Sequence, residues 1–596
     1  MEEKDLTFPT SSSKADDIAR SHTRDVAAAD SINDPASGDK RSGTNEIVRV
    51  RTAGPEDAGS DGFSNNSSPV ISVRRFWLLS FGVCLGLFLS LVDSSIVATS
   101  LYSISADFQT VEKVNWVALA YTLAYVGFAV TFANLSDLIG MHDAFLVAYV
   151  IFFIFSMACG FASNLTQLIA FRALQGIGGS GLYSLSMIIL TDICPKDSRA
   201  SVGIMIGITI ACSGVLGPAL GGVLTHFARP RLLLLYSSQR LMSSSGPIGF
   251  VSLSICLTTW PKGGHFGMKR RSSQPGFDFL GSVLVIASSG LIVFAFQKAG
   301  ESPNGRVWGE AIFIAPLVAG LFSLTALLTW EYRVEKRSGN SFSPAFPLRL
   351  FQNRTYRAGA VSTLLLGYPY LLIMYSFPLR AQVVSQKTAL MAGFMLLPML
   401  GMSALGSVIS SKINNKRNLF RETLLAGACC MTVGTALLTT VSGPQDDKKA
   451  LGFLSFSGLG FGLSAAAATN LVIDEASDRD QAPAHGILAL LRVFGGSLGI
   501  STSTVLVHAE ARNYLAGILT EEQRAAKGRL GNKLSELQWT AIRHVHTSAF
   551  SKGMIAASTV SGAAVLLALI AIRPRKESSG RDRRTDDSNG ADASNC

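Results

Sequence analysis

Charge is what this chain has least of. Only 16% of its 596 residues are Asp, Glu, Lys or Arg, against about 25% in an ordinary soluble domain. Cysteine is scarce as well. Six of the eight (Cys84, Cys159, Cys212, Cys256, Cys429 and Cys430) sit in or beside apolar runs, with Cys194 in a short loop and Cys596 at the end. Such placement gives neither a disulfide framework nor a metal site. No G-x-x-x-x-G-K-[ST] loop and no nucleotide domain is present, which excludes ATP-driven chemistry by this chain. No cluster of His, Cys and carboxylates is arranged for catalysis, so no enzyme activity, no cofactor and no metal are expected. A cleavable signal peptide is also absent. The first apolar run begins near Phe76, after a long polar tail, and is read as an uncleaved first span.

What the chain has instead is apolar length. Hydrophobic residues make up 48%, and there are 56 glycines, a residue commoner in membrane helices than in soluble ones. About 14 apolar stretches run from 76 to 572. Crossing about 30 Å of hydrocarbon at 1.5 Å per residue takes roughly 20 residues, and these runs are too long and continuous for barrel strands. The expected spans are 76–101, 115–134, 144–163, 167–190, 200–224, 236–259, 278–297, 309–330, 358–381, 388–410, 421–441, 451–473, 484–508 and 552–572. Residues 1–72 and 573–596 are polar tails that bury too little surface to offset the entropy of ordering.

The net charge of +11 follows from topology rather than from a nucleic-acid partner. Arg74 and Arg75 precede the first span and place the N-terminus in the cytoplasm; every second loop then carries the basic residues. Lys196 and Arg199 fit this alternation, as do Lys262, Lys269, Arg270 and Arg271. The cluster from Arg333 to Arg357 fits, then Lys412, Lys416, Arg417 and Arg421, then Arg573, Arg575 and Lys576. The loop 509–551 carries several basic residues on the outer side, where long loops weigh less. Residues 225–247 contain Arg229, Arg231, Gln239 and Arg240 and make a poor start for span six. Without a crossing there, every later basic cluster would lie outside.

Charged residues inside apolar runs are costly and mark functional positions by default. Asp93 in LVDSSIVATSL (91–101) is one, with a helix-end cap as the alternative reading. Arg172 in FRALQGIGGSGLYSL (171–185) is another, with snorkelling to the outer interface as its alternative. Arg492 in LRVFGGSLGI (491–500) is a third. Gly176, Gly178, Gly179 and Gly181 allow close helix contact. In GVLGPALGG (214–222), Gly214, Gly217, Gly221 and Gly222 flank Pro218, which removes a backbone donor and kinks the helix.

These segments, together with ANLSDLIGMHD (133–143), resemble the major facilitator superfamily and within it the fourteen-span drug:proton antiporters, over about 75–575. LVDSSIVATSL is similar to that family's motif at the end of span one, which implies a proton or cation role for Asp93. FRALQGIGGSGLYSL resembles motif B, implying that Arg172 belongs to the coupling network. GVLGPALGG resembles the antiporter signature, motif C. ANLSDLIGMHD resembles motif A, whose Asp and basic residues latch the two bundles on the cytoplasmic side. Asp137 and Gly140 match; Ala133 replaces the first Gly, Leu138 a usual Arg, and Met141 and His142 stand where basic residues are usual. Asp137 is also placed to cap the following helix, and His142 to carry a pH-dependent charge or simply to be solvated. Weaker echoes are FDFLGS (277–282) at the start of span seven, Gly406, Lys416 and Arg417 after span ten, and the R-x-x-G-G-S-x-G pattern around Arg492. After motif C, only Pro247, Ile248 and Gly249 of the expected lead-in to span six remain, through either divergence or a splice-junction error in the gene. Tyr368, Pro369, Tyr375 and Asn470 are polar or kinking positions that either line a cavity or bond between helices.

The resemblance implies an all-α polytopic membrane protein of major facilitator fold. It would have about 14 transmembrane helices in two six-helix bundles (73–260 and 358–572), an inserted pair with linkers at 261–357, and cytoplasmic tails 1–72 and 573–596. It further implies a monomer that exchanges protons for small organic molecules, exporting them across the plasma membrane with Asp93, Arg172 and Arg492 at the coupling and substrate site. The alternatives are import of a siderophore or of basic amino acids, at the vacuolar or plasma membrane, and a transporter-like sensor without flux. The motif set and tails resemble those of fungal proteins.

Overall fold

The computed structural model describes residues 73–107, 115–192, 205–210, 212–214, 216–217, 245–260, 276–301, 307–338, 342–417, 419–476, 480–515 and 535–571. Both expected tails, the basic loops around Lys196 and Lys269, and Pro218, Gly221 and Gly222 lie outside these residues.

Almost everything described is helix, as hydrocarbon demands of a backbone that must satisfy its own polar groups. The first half holds α1 (Val73–Asp107), α2 (Asn115–Ile139), α3 (Met141–Cys159), α4 (Leu165–Asp192) and α5 (Ser245–Thr259). Short helical pieces over 205–217 stand where span five was expected. Next come α6 (Phe279–Glu301) and α7 (Ala311–Ser338). The second half holds α8 (Arg349–Gln352), α9 (Arg354–Val383), α10 (Ala389–Phe394), α11 (Leu397–Arg417), α12 (Phe420–Leu438), α13 (Asp447–Glu475), α14 (Gln481–Leu515) and α15 (Glu536–Ala571). Two-residue parallel strands, β1 (Gly276–Phe277) and β2 (Phe342–Ser343), pair in front of α6 and after α7.

Eleven of these helices are long and apolar enough to cross a membrane. Of the remaining three expected spans, the fifth is helical wherever described, and the sixth is described only as the 15-residue α5. The eleventh is the 19-residue α12, whose first turn carries Arg421 and Glu422.

Two boundaries differ from the expected spans. Span ten is broken: Thr388 caps the short α10, and α11 restarts at Leu397 and runs on to Arg417. Spans thirteen and fourteen are longer, since α14 continues to Leu515 and α15 starts at Glu536. Much of the expected loop 509–551 is therefore helix. Polar side chains hid it from a hydropathy reading, and they pair with one another: Lys552 binds Glu510, Ser548 donates to the same carboxylate at 2.8 Å, and Tyr514 lies 4.3 Å from His544.

Small residues set the packing distances. A Cβ on Gly178 of α4 would lie 2.4 Å from the Phe152 amide nitrogen of α3, and one on Gly462 of α13 would lie 1.9 Å from the Ser403 carbonyl oxygen of α11. Such approach brings dispersion contact where lipid tails offer no hydrophobic drive. One buried cluster links both halves and the inserted pair: Val126 and Val130 of α2, Val285 of α6, Leu327 of α7, Ala360 of α9 and Ile487 of α14. α6 packs on α2 and α14, while α7 touches mainly α6. Only 17% of the α7 span is buried, against 83% of α4. With Val318 and Phe322 turned outward, α7 is the lipid-facing member.

Candidate coupling site

Asp93 lies inside α1 and Arg172 in the second turn of α4, and the two form an ion pair with side chains 4% and 1% exposed. Asp93 is not at a helix end and Arg172 is turned into the protein rather than outward, so the cap and snorkelling alternatives do not describe them. Burial of an ion demands both a counter-ion and further hydrogen bonds, and the surroundings supply them. Gln175, one turn on from Arg172 and hence on the same face, accepts from its Nη1 at 2.8 Å. Arg172 Nε donates to the Val117 carbonyl at 3.4 Å. The guanidinium carbon sits 4.3 Å from the Tyr121 ring centre, a cation–π contact strengthened by the absence of water.

Two further bonds fix this frame. Tyr121 Oη donates to the Ser90 carbonyl at 3.0 Å, and Ser90 Oγ donates to the Gly179 carbonyl at 2.9 Å. α1, α2 and α4 are thus tied together around one pair of charges. From the second half, Tyr375 Oη donates to the carbonyl of Ser94, the residue after Asp93, at 3.3 Å. That bond links the residue next to Asp93 to the opposite half.

The motif C segment lies between halves. A Cβ on Gly207 would meet Ser407 Cβ at 2.5 Å, and one on Gly214 would meet Leu400 Cδ2 at 2.6 Å. Seven residues up one helix match seven down the other, so the segment runs antiparallel to α11. A Cβ on Gly217 would fall 1.8 Å from Ser95 Oγ, two residues from Asp93. The segment is wedged between the second half and the turn of α1 that bears the carboxylate.

In motif A the structure separates Asp137 from the start of α3. Asp137 is a half-buried residue of α2 and does not cap α3: the N-cap is Gly140, with no side-chain hydrogen bond to the cap, and Asp143 occupies the first turn. Gly140 adopts φ 96° with open space around it, so backbone conformation rather than room requires glycine there. His142 stacks edge-on against Trp260 and contacts Asp143 at 2.7 Å. Ala133, where the motif has glycine, faces Gly486 of α14; a Cβ on Gly486 would lie 2.9 Å from its Cβ. The small residue has moved to the partner helix. Asn134 Nδ2 donates to the Ala345 carbonyl at 3.3 Å, tying α2 to the segment after α7.

Arg492 of α14 is half-buried and reaches across to the first half, donating from Nη1 to Tyr183 Oη of α4 at 2.8 Å. It does not join the Asp93–Arg172 pair. Gly406 packs within the second half, where an added Cβ would lie 2.7 Å from the Leu459 carbonyl oxygen.

Sequence reasoning missed several residues. Gln175 was detectable by its one-turn spacing from Arg172. Tyr121 and Tyr183 were not, since a Tyr in an apolar helix reads as core. Arg380 obeys the same intramembrane-charge rule as Arg172 but lies where α9 was read as ending; it is 1% exposed and pairs with Asp447 at 3.3 Å. Asp278 of FDFLGS accepts from Gly281 N at 2.8 Å, Trp330 Nε1 at 2.9 Å and Ala345 N at 3.3 Å, while Glu331 accepts from Phe346 N at 2.8 Å. These two buried carboxyls hold the segment after α7 onto the inserted pair.

Comparison with known proteins agrees with this geometry. Residues 83–260 match the family model of the Major Facilitator Superfamily. The chain is 29% identical over 518 residues to the MFS-type transporter FPY5 of Fusarium mangiferae, covering 84% of this chain and 85% of that one. Over residues 83–260 and along most of its length, the chain is similar to the major facilitator superfamily.

Other relatives include the efflux pump FUS6 of Gibberella moniliformis, 28% identical, covering 76% of this chain and 78% of that one. Multidrug resistance protein 3 of Bacillus subtilis is 27% identical, covering 70% and 77%. Among solved structures, an inward-facing bacterial homologue of the human lysosomal transporter Spinster superposes with a TM-score of 0.55 at 15% identity, covering 84% and 97%. The xylose transporter XylE of E. coli, partially occluded and inward open, superposes with a TM-score of 0.51 at 13% identity, covering 84% and 98%. The chain is thus a multi-pass membrane transporter whose relatives are transporters, not enzymes, and include fungal and bacterial efflux and multidrug resistance proteins.

Proposed function

We propose that this transporter exports small organic molecules by alternating access, coupled to the inward movement of protons. The observation that carries the reading is the Asp93–Arg172 pair, buried in α1 and α4 and bonded through Ser94 to the second half. Protonating Asp93 removes the counter-ion of Arg172 and leaves a buried cation held by Gln175, the Val117 carbonyl and the Tyr121 face. An uncompensated buried charge costs about 3–5 kcal/mol, enough to shift a two-state equilibrium between bundle orientations strongly. Substrate occupies the space between halves near the midplane, and the halves rock about it.

Motif C supports export over uptake, through the resemblance and through its position as a wedge between α1 and α11. The relatives named as efflux pumps support the same direction. The reading places a monomer in the plasma membrane with both termini in the cytoplasm, as the basic loops indicate. The test is efflux from cells lacking their own pumps, with and without a proton uncoupler. Uncoupler-sensitive export that disappears in Asp93→Asn is the expected result. Uptake, or no flux with the protein present at the surface, would return the case to an importer or to a sensor.

A further inference from the structure

The reading above leaves the cargo open, and the midplane between the halves bears on it. Two buried or half-buried cations bear on that region, Arg172 and, about three turns further along α4 by its bond to Tyr183, Arg492. Arg172 has its carboxylate, Asp93. Among the described residues no carboxylate lies within ion-pair distance of Arg492, whose bond is to the neutral hydroxyl of Tyr183. A guanidinium held among apolar helices without a counter-ion faces water or a ligand, and Arg492 lines a small cavity on the second-half side, with Thr363, Leu424, Phe461 and Ser464, while its bond to Tyr183 reaches the first half.

Two neighbouring hydroxyls have hydrogen to give. Tyr183 accepts from Arg492 and keeps its own hydroxyl proton for another partner. Tyr125, its ring 5.8 Å from that of Tyr183, is buried with its hydroxyl unpartnered. His485, two turns before Arg492 on the same face of α14, is 3% exposed and has Nε2 unpartnered. Buried polar groups without partners are rare and costly. A lone cation beside idle hydroxyl donors is a site lacking an anionic acceptor. Asp93, the acid of α1, is already committed to Arg172.

The walls are flat. Tyr370 and Phe461 stack with centroids 3.6 Å apart at 12°, and Tyr121, Tyr125 and Tyr183 form a chain of tilted rings from the first half. Rings with rings are favoured beyond their buried area.

We infer that the midplane site takes an organic anion bearing a planar aromatic or conjugated system, with its acidic group on Arg492, Tyr183 and Tyr125 and its ring against Phe461. The inference rests on the exporter reading for its direction only. Arg492 belongs to the second half and Tyr183 to the first, so an anion shared between them engages both halves at once, as a cargo must if its presence is to govern their movement.

The experiment uses the full-length protein in nanodiscs and three probes of one shape: 2-naphthoate, neutral 2-naphthamide and 2-naphthylmethylammonium. Binding is read by calorimetry and by the shift in melting temperature. The carboxylate binds at least about tenfold more tightly than either analogue, the effect of losing one charge-assisted bond in a desolvated site. Arg492→Gln abolishes that preference. Arg492→Lys, which keeps the cation, and Tyr183→Phe, which keeps the fold, each retain part of it. Equal or tighter binding of the ammonium, binding of none of the three, or an unaltered preference in a folded Arg492→Gln protein would overturn the inference. Selective, Arg492-dependent naphthoate binding without uncoupler-sensitive efflux would instead leave the substrate class standing and remove the exporter reading. Uncoupler-sensitive efflux of the ammonium alone would do the reverse.

Discussion

Arg380 of α9 and Asp447 of α13 repeat the Asp93–Arg172 pair with the signs exchanged. In the first half the first helix gives the acid and the fourth the base; in the second half the first helix gives the base and the fourth the acid. The two pairs differ in exposure. Asp93 is sealed at 4% side-chain exposure, whereas Asp447 is at 15% and also accepts from Ser385 Oγ at 2.9 Å. Arg380 has in addition the Gly443 carbonyl at 2.9 Å and the Phe550 ring at 5.6 Å. The acid of the second pair thus has more access to solvent than the acid of the first.

Removing one partner of the second pair therefore destabilises asymmetrically. Arg380→Ala leaves Asp447 near solvent and Ser385 and also loses the packing on Phe550; Asp447→Asn leaves Arg380 a carbonyl and an amide oxygen. Arg380→Ala is expected to cost about 3 kcal/mol and Asp447→Asn clearly less. Thermal melting of the purified proteins checks the order. Equal losses would show that the charge pair alone, and not its surroundings, carries the stability.

Gly486 and Ala133 make a size-exchange pair across the halves. Gly486→Ala places two methyl groups about 2.9 Å apart, closer than side-chain carbons approach, and forces α2 from α14. We expect a loss of transport rate in Gly486→Ala and recovery in Gly486→Ala/Ala133→Gly, which returns the small residue to the position motif A gives it. Overpacking costs about 1–3 kcal/mol. A double variant no better than the single one would mean that the contact does not limit approach of the helices.

In the motif C segment the cost of a methyl group depends on what it strikes. At Gly214 the obstacle is the end of the Leu400 side chain, which can turn away; at Gly217 it is Ser95 Oγ at 1.8 Å with Ser95 Cβ at 2.8 Å and the Val92 carbonyl at 3.2 Å. Gly217→Ala is expected to abolish coupled transport while Gly214→Ala retains most of it, measured as efflux at equal surface expression. The reverse order would contradict the packing described for α1.

Much of this was legible from residue type because hydrocarbon punishes charge. Asp93, Arg172 and Arg492 stood out as ions in apolar runs. The sequence did not say which of them meet: Asp93 and Arg172 lie 79 positions apart, and Arg492 bonds a tyrosine that nothing marked. Tyrosines in apolar helices carry no period that separates a ring filling a core from a ring lining a cavity. The long ends of α14 and α15 escaped because their charges satisfy one another across helices, which hydropathy along one chain does not register. The Ala133–Gly486 exchange was invisible for the same reason: the missing glycine was on another helix.

The buried carboxyls of the inserted pair give a prediction about the linker. Asp278 takes two backbone amides and the Trp330 indole, and Glu331 one backbone amide. Asp278→Ala leaves those donors unpaired and is expected to speed protease cleavage between α7 and α9 severalfold, with Glu331→Gln, which keeps an acceptor, having the smaller effect. Cleavage rates unchanged in Asp278→Ala would remove the assigned anchoring role.

The central claim is that Asp93 carries the proton that drives the cycle. Its most direct measurement is uphill transport of a bound cargo in proteoliposomes under an imposed pH gradient, comparing the native protein with Asp93→Asn. The account predicts accumulation against the cargo gradient in the native protein, and in Asp93→Asn only exchange down the gradient that no longer responds to pH. Accumulation driven by the pH gradient in Asp93→Asn would contradict it.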